Sequence, residues 1–260
     1  MNIVACIKET PSTTAEKSFG PDMRLERRKE DAIPNPFDEY TIEEALRQQE
    51  KHAGSTVTIL CMGPATATDT LRKALAMGGD RAVLVSDSAL AGSDAIGTAR
   101  VLAAALQKIG FDLALFGSAA ADAYGGVVPS ATAEFLGLPL LSYASKLDLS
   151  GDSTARIQRA AEIGYNEAEA PLPALVSVVK SINEPRYPSM KGIMASKKKP
   201  LDTFSLADLG LDPSSVGGAA ARERAISSEK VSTQRKGELY QGNEGAADRV
   251  VAFLIEQKVL

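Results

Sequence analysis

Short, nearly uninterrupted apolar runs alternate along this chain with stretches in which apolar positions recur every three or four residues. The runs are NIVACI (2–7), VTILCM (57–62), AVLVS (82–86), DLALFG (112–117) and PALVSVV (173–179). Their lengths are those of strands, and none shows the alternation of a sheet with one wet face. A strand that is apolar on both sides must be covered on both sides. The pattern therefore predicts an α/β fold, doubly wound, with a mostly parallel sheet buried between helices on both faces.

The helices between these runs are marked by their ends. In NPFDEYTIEEALRQQE, Asn35 stands at the cap and Pro36 at the first helical position, where its missing N–H costs nothing; Ile42, Ala45 and Leu46 share a face. TATDTLRKALAMGG places Thr66 three residues before Asp69, aligns Leu71, Ala74 and Leu75, and stops at Gly78 and Gly79. In SDAIGTARVLAAALQKIG, Ser93 is the predicted cap, Ile96, Ala99, Ala103 and Leu106 form the stripe, and Gly110 closes the helix. The loop SAAADAYGG then leads to VVPSATAEFLGLP, a helix whose Pro129 suits only a first turn.

Past residue 182 the pattern changes. NEPRYPSMKGIMASKKKP carries three prolines, and residues 212–245 are rich in Gly, Ser and charge, so this tail is not expected in the core. Its end, GAADRVVAFLIEQKVL, regains a helical stripe through Val250, Val251, Leu254 and Ile255 that suits docking. The chain thus divides into an α/β core over 1–182 and an extended C-terminal arm over 183–260.

Charge and composition narrow the chemistry. Twenty-nine Lys and Arg against 33 Asp and Glu give a net charge of −4, which argues against a nucleic-acid coat. Cys6 and Cys61 lie in apolar runs without CxxC spacing, which points to a reducing compartment, the cytoplasm, and against a zinc site or disulfide framework. The single histidine, His52, ends a charged segment and reads as a solvated helix-end residue, which argues against histidine triads and histidine-rich metal centres. No stretch has the length and apolarity of a membrane span, and the N-terminus lacks the features of a secretory signal.

In open parallel sheets, ligands bind beyond the carboxyl ends of the strands, here the loops after residues 7, 62 and 117. In the third loop, Gly125 and Gly126 stand at a helix start, either to cradle an anion on backbone N–H groups or simply to allow close turns. Each such bond to an anion contributes about 1.5–3 kcal/mol, so two or three suffice for a phosphate. Neither GxxxxGK[ST] nor GxGxxG occurs at a strand–helix junction. Asp122 either forms a turn or orients the loop toward a ligand, and Asn35 either caps its helix or touches that ligand. No serine or cysteine has a base near it in sequence and no carboxylate pair stands out, so the chain reads as a binder without bond-making catalysis. If GIMASKKK is a loop, Met190, Ile193 and Met194 are exposed beside Lys197, Lys198 and Lys199, a combination that suits a partner surface.

The first strand through Lys8, NPFDEYTIEEA (35–45), CMGP (61–64), LRKALAMGGDRAVLV (71–85), DLALFGSAAAD (112–122), LPALVSV (172–178), EPRYPSMKGIMASKKKP (184–200) and LADLGL (206–211) together resemble the beta subunits of electron transfer flavoproteins. The resemblance spans nearly the whole chain and implies a Rossmann-like domain. It implies an alpha/beta heterodimer that accepts electrons from flavoprotein dehydrogenases, such as those acting on acyl-CoA thioesters, and passes them to a quinone-linked oxidoreductase. The FAD is expected at the interface, mainly on the alpha subunit, and a structural AMP in this subunit. Carried over by position, Cys6, Asn35, Pro36, Phe37, Asp38, Met62, Gly117, Asp122, Gly125, Gly126, Val127 and Val128 surround the AMP. The resemblance further implies that roughly residues 178–200 correspond to the family's dehydrogenase-recognition loop, with Met190 where a leucine is usual, and that the tail helix is to wrap the alpha subunit.

Two departures stand out. Gly126, Val127, Val128 and Pro129 occupy the place of the family's Asn-Gln-Thr-Gly, so phosphate binding rests on the N–H groups of residues 125–128, and Ala160 stands where an acidic residue is common near the flavin. The alternatives are an electron-bifurcating type with a second FAD in place of AMP, and a stand-alone adenine-nucleotide sensor of the universal-stress type. The sensor explains neither the GIMASKKKP segment nor the tail. An adenylating enzyme would need a pyrophosphate loop such as SGGxDS, which is absent.

Overall fold

The computed structural model describes residues 1–151, 153–229, 239, 240, 242 and 244–260. The strands are β1 (Asn2–Ile7), β2 (Glu9–Pro11), β3 (Ala32–Pro34), β4 (Thr56–Met62), β5 (Arg81–Val85), β6 (Leu113–Gly117), β7 (Leu140–Ser150), β8 (Thr154–Ala160), β9 (Tyr165–Pro171), β10 (Ala174–Val178) and β11 (Leu201–Phe204). The α-helices are α1 (Pro36–Lys51), α2 (Thr68–Met77), α3 (Ala95–Ile109), α4 (Val128–Leu136), α5 (Met190–Ser196), α6 (Gly217–Ala220) and α7 (Ala246–Glu256).

Nine strands form one sheet in the order β11-β5-β4-β1-β6-β10-β7-β8-β9. The seven from β11 to β7 run parallel, and β8 and β9 close one edge antiparallel. The five predicted strands are all present. On β1 successive side chains enter different cores: Ile3, Ala5 and Ile7 meet Ile42, Ala45 and Leu46 of α1 and Leu71 and Leu75 of α2. Val4 and Cys6 meet Val101, Leu102 and Leu106 of α3 and Ala133 of α4. Helices on both faces explain why these runs are apolar at every position. The chain moves outward from β1 to β4 and β5, then crosses back to β6 on the other side of β1. The β1/β6 boundary is therefore the topological switch point, the place where open parallel sheets carry their ligand crevice beyond the strand ends.

Six strands were not expected from the apolar runs: the short β2–β3 pair, the edge strand β11, and β7, β8 and β9. Beside β10, β7 continues as the first strand of an antiparallel meander in which Leu147, Leu149, Ala155 and Ile157 are buried while Arg156 faces solvent. This is half-wet alternation, pivoting near Gly151, whose φ is +63°. The segment assigned to the tail also contributes to the core: β11 pairs with β5, and Leu206 and Val216 are buried on the α3 side. The first compact unit accordingly runs from Met1 to Ile226, and the second comprises residues 227–260. In the second, Val250, Val251, Phe253 and Ile255 of α7 are exposed.

Two predicted caps differ. The cap of α3 is Asp94, which accepts from Gly97 N–H at 2.7 Å, while Ser93 donates to Leu90 O at 2.8 Å. Thr66 lies in a 3-10 turn ahead of α2, whose cap residue, Ala67, provides no side-chain bond. Among the described residues no helix is long and apolar enough to cross a membrane, and no cluster of His, Cys, Asp and Glu is suited to a metal ion.

Candidate functional site

The crevice is framed by the ends of β1 and β6 and the start of α1. Lys8 follows β1, and its N–H donates to Asp38 Oδ2 at 2.7 Å, which ties the strand end to the first turn of α1. Gly117 ends β6 at the same place. A β-carbon there would stand 2.3 Å from Asp38 Oδ1 and 3.1 Å from Phe37 Cβ, so only glycine lets α1 approach the strand so closely. Burial pushes the Asp38 carboxyl up to about 7, against the lowering pull of Lys8 N–H, Asn35, the Lys8 charge and Gly117 N–H.

Asn35 precedes α1 as expected, but its side chain does not cap the helix. Its Nδ2 donates to Ala119 O at 2.9 Å and its Oδ1 accepts from Ala121 N–H at 3.0 Å. The 1% exposed amide thus fixes the loop after β6 as a neighbouring strand would. Pro36 takes the first position of α1, and Phe37 meets Tyr124 edge-on with ring centroids 5.8 Å apart.

Asp122 is held from two sides. Its Oδ1 accepts from Lys8 Nζ at 2.9 Å and its Oδ2 pairs with Arg27, while Lys17 Nζ donates to Ala121 O at 3.2 Å. Burial works to raise the Asp122 carboxyl, but the Lys8 charge and the Arg27 hydrogen bond prevail and hold it below the usual range. This carboxylate orients the loop and does not simply close a turn on its own backbone. Lys8, Lys17 and Arg27 are neighbours of this loop that the apolar pattern did not single out. The legible signal was the concentration of cations in residues 8–29, opposite a single loop aspartate.

Beyond Asp122 the loop climbs to α4. Tyr124 and Gly126 take left-handed backbones with φ of +54° and +63°. Val127 precedes α4, and Pro129 sits within its first turn as predicted. Among the described residues, no protein acceptor meets the N–H groups of Gly125, Gly126, Val127 and Val128. Four consecutive N–H groups thus stand at a helix start without a protein acceptor, an arrangement whose chemistry suits an anion.

Cys6 and Cys61 are free, buried thiols of β1 and β4. Burial pushes the Cys6 thiol well above its usual range and the Cys61 thiol up to about 12, and the two face opposite cores. Neither is a thiolate nucleophile. Met62 ends β4, on the side of β1 away from β6.

Met190, Ile193 and Met194 lie elsewhere, beside α2. The expected loop is the helix α5, capped by Ser189, whose Oγ accepts from Gly192 N–H at 3.0 Å. Arg72 Nη1 donates to Ser196 O at 2.5 Å and Lys199 O at 2.7 Å. A β-carbon on Gly192 would stand 2.4 Å from Ala76 O, so α5 lies directly on α2. Upstream, Arg186 grips Glu43 through Nε at 2.7 Å and Nη2 at 3.0 Å and reaches Glu50 through Nη1 at 2.6 Å. On this pinned segment Tyr187, Met190 and Met194 are 95%, 77% and 71% exposed. Lys197 and Lys198 also face solvent. Lys199 does not join them: its Nζ donates to Leu75 O at 3.0 Å and Gly78 O at 3.1 Å, neutralising the carboxyl end of α2.

Comparison with known proteins places this geometry in context. Residues 22–209 match the family described as Electron transfer flavoprotein domain. Relatives named Electron transfer flavoprotein subunit beta include that of Mycobacterium tuberculosis, 39% identical over 265 residues covering 100% of this chain and 99% of the relative. That of Thermoanaerobacterium thermosaccharolyticum is 37% identical over 244 residues, covering 94% and 93%. Caffeyl-CoA reductase-Etf complex subunit CarD of Acetobacterium woodii is 34% identical over 264 residues, covering 100% of both chains.

Proposed function

The chain belongs to the electron transfer flavoprotein family with the beta subunits, and from that premise we propose that it pairs with an alpha subunit, holds AMP at the β1/β6 switch point and helps enclose the alpha subunit's FAD. In this reading the complex works in the cytoplasm. It accepts electrons from flavoprotein dehydrogenases such as those acting on acyl-CoA and delivers them to a quinone-linked oxidoreductase. The flavin supplies the redox chemistry. This chain's residues bind and orient.

The observation that carries the nucleotide assignment is the run of four unpaired N–H groups at Gly125–Val128 beside the buried Asn35, Asp38 and Asp122 frame. These donors fit a phosphate and compensate for the absent side-chain donors, since Pro129 has no N–H of its own. Asn35 and Asp122 hold the loop that carries these amides. They arrange the donors before binding, which reduces the entropy lost on capture. At the second region, exposed Met190 and Met194 on a pinned α5 suit insertion into an apolar pocket of a dehydrogenase, and thioether flexibility suits several partners.

Co-expression with the large flavin-binding subunit tests this reading. The expected product is a heterodimer whose flavin absorbance bleaches anaerobically on addition of an acyl-CoA dehydrogenase and its substrate. A chain that recruits no flavin-binding partner, or a complex reduced only by NADH with bifurcating stoichiometry, contradicts it.

A further inference from the structure

Tyr143 interrupts β7 with a φ of +58°, a left-handed backbone that an aromatic residue rarely takes. Two bonds flank this geometry. Tyr143 N–H donates to Oγ of Ser177, a 3% exposed residue of β10, at 2.9 Å, and Arg159 Nε donates to the preceding carbonyl, Ser142 O, at 2.7 Å. The β7–β10 register shifts at the same level, between Val176 and Val178. A regular strand would keep the ring on one face of the sheet. Here the ring reaches the loop before α4, and its Oη lies 3.3 Å from where a β-carbon on Gly126 would stand.

The hydroxyl is thus beside Gly126, one of the four residues whose N–H groups lack a protein acceptor. Tyr143 is 48% exposed, and among the described residues its Oη has no hydrogen-bond partner. A phenol can donate one hydrogen bond without changing the charge of the site. The loop itself offers no side-chain donor from Gly125 to Pro129.

We propose that Tyr143 supplies the side-chain donor to the nucleotide phosphate held by the Gly125–Val128 amides and thereby makes the site selective for a nucleoside monophosphate over the bare nucleoside. The inference rests on the nucleotide assignment above. Ser177 and Arg159 act as positioning residues, since they fix the backbone that aims the ring.

The test uses the heterodimer, stripped of nucleotide, with AMP and adenosine titrated calorimetrically against the parent chain and Tyr143→Phe. A hydrogen bond to a charged phosphate predicts a roughly ten-fold or greater loss of AMP affinity in Tyr143→Phe, with adenosine affinity unchanged. Ser177→Ala, which keeps the phenol but removes its anchor, is expected to weaken AMP less and again to spare adenosine. Unchanged AMP affinity in Tyr143→Phe, or equal loss for both ligands, overturns the proposal while leaving the nucleotide site standing. A parent complex that binds no AMP overturns the underlying assignment and this inference with it.

Discussion

The switch-point crevice and the α5 surface are built by opposite rules. In the crevice, the buried side chains of Asn35 and Asp122 hold a loop whose backbone donors are left open, and buried Asp38 ties the end of β1 to α1. On α5, polar clasps from Arg72, Arg186 and Ser189 hold a short helix whose apolar side chains are left open. In both places the exposed group is the one that burial normally claims. The difference lies in what is offered: fixed amides suit an anion of matching geometry, whereas exposed methionines offer adaptable apolar area. Substitutions in the crevice should therefore disturb stability and ligand together, and substitutions on α5 should separate them.

The largest effect is expected from Gly117→Ala. Its β-carbon would stand 2.3 Å from Asp38 Oδ1, so α1 or β6 must shift, at a cost of about 2–3 kcal/mol in chemical unfolding together with loss of bound nucleotide. Stability near that of the parent chain would show that the crevice tolerates a wider gap.

Next comes the pH dependence that Asp38 imposes. Burial raises its carboxyl from 3.8 to about 7. Between those values the native state holds a proton that the unfolded chain has released, so Asp38 makes stability fall as pH rises from about 4 to about 7, with no further change above. Asp38→Asn should flatten unfolding free energy over that window. An unchanged slope would mean the carboxylate stays ionised in the native protein.

A smaller effect is expected from Asp122→Asn. The Asp122 side chain is buried, but Lys8 and Arg27 are half-exposed and can turn to water, so the cost should be about 1 kcal/mol. It should emerge as faster proteolysis within residues 118–127 and weaker AMP binding. The Asp122 carboxyl lies below its usual range, so its contribution is present at neutral pH and lost as pH falls through that depressed value.

The smallest stability effect belongs to Met190→Ala. Met190 is 77% exposed, so unfolding free energy should move by less than about 0.5 kcal/mol, with AMP content and heterodimer yield intact. Electron acceptance from dehydrogenases, followed by stopped-flow flavin absorbance, should slow. Loss of heterodimer yield would instead place Met190 in the subunit interface.

The same contrast governs what the sequence made legible. Strands covered on both faces appear as continuous apolar runs, so β1, β4, β5, β6 and β10 could be read directly. The β7–β9 meander buries only alternate residues and carries Arg156 and Glu169 outward, a pattern that resembles a polar loop unless its period is counted. The Asn35-Pro36 start signal correctly marked α1, yet the Asn35 side chain serves the β6 loop, a bond across 86 residues that no local motif encodes. Lys199 appeared to belong with Lys197 and Lys198 because they are adjacent, but one turn of geometry sends it to the carbonyls of α2. The twist of Tyr143 depends on Ser177 and Arg159, each distant in sequence, and so left no local trace.

The central claim is that backbone amides at Gly125–Val128, framed by buried polar side chains, hold a nucleoside monophosphate. The direct measurement is to purify the heterodimer, denature it, and identify the released nucleotides by chromatography and mass spectrometry. The account predicts one AMP and one FAD per heterodimer. Two FAD with no AMP, or FAD alone, would contradict it.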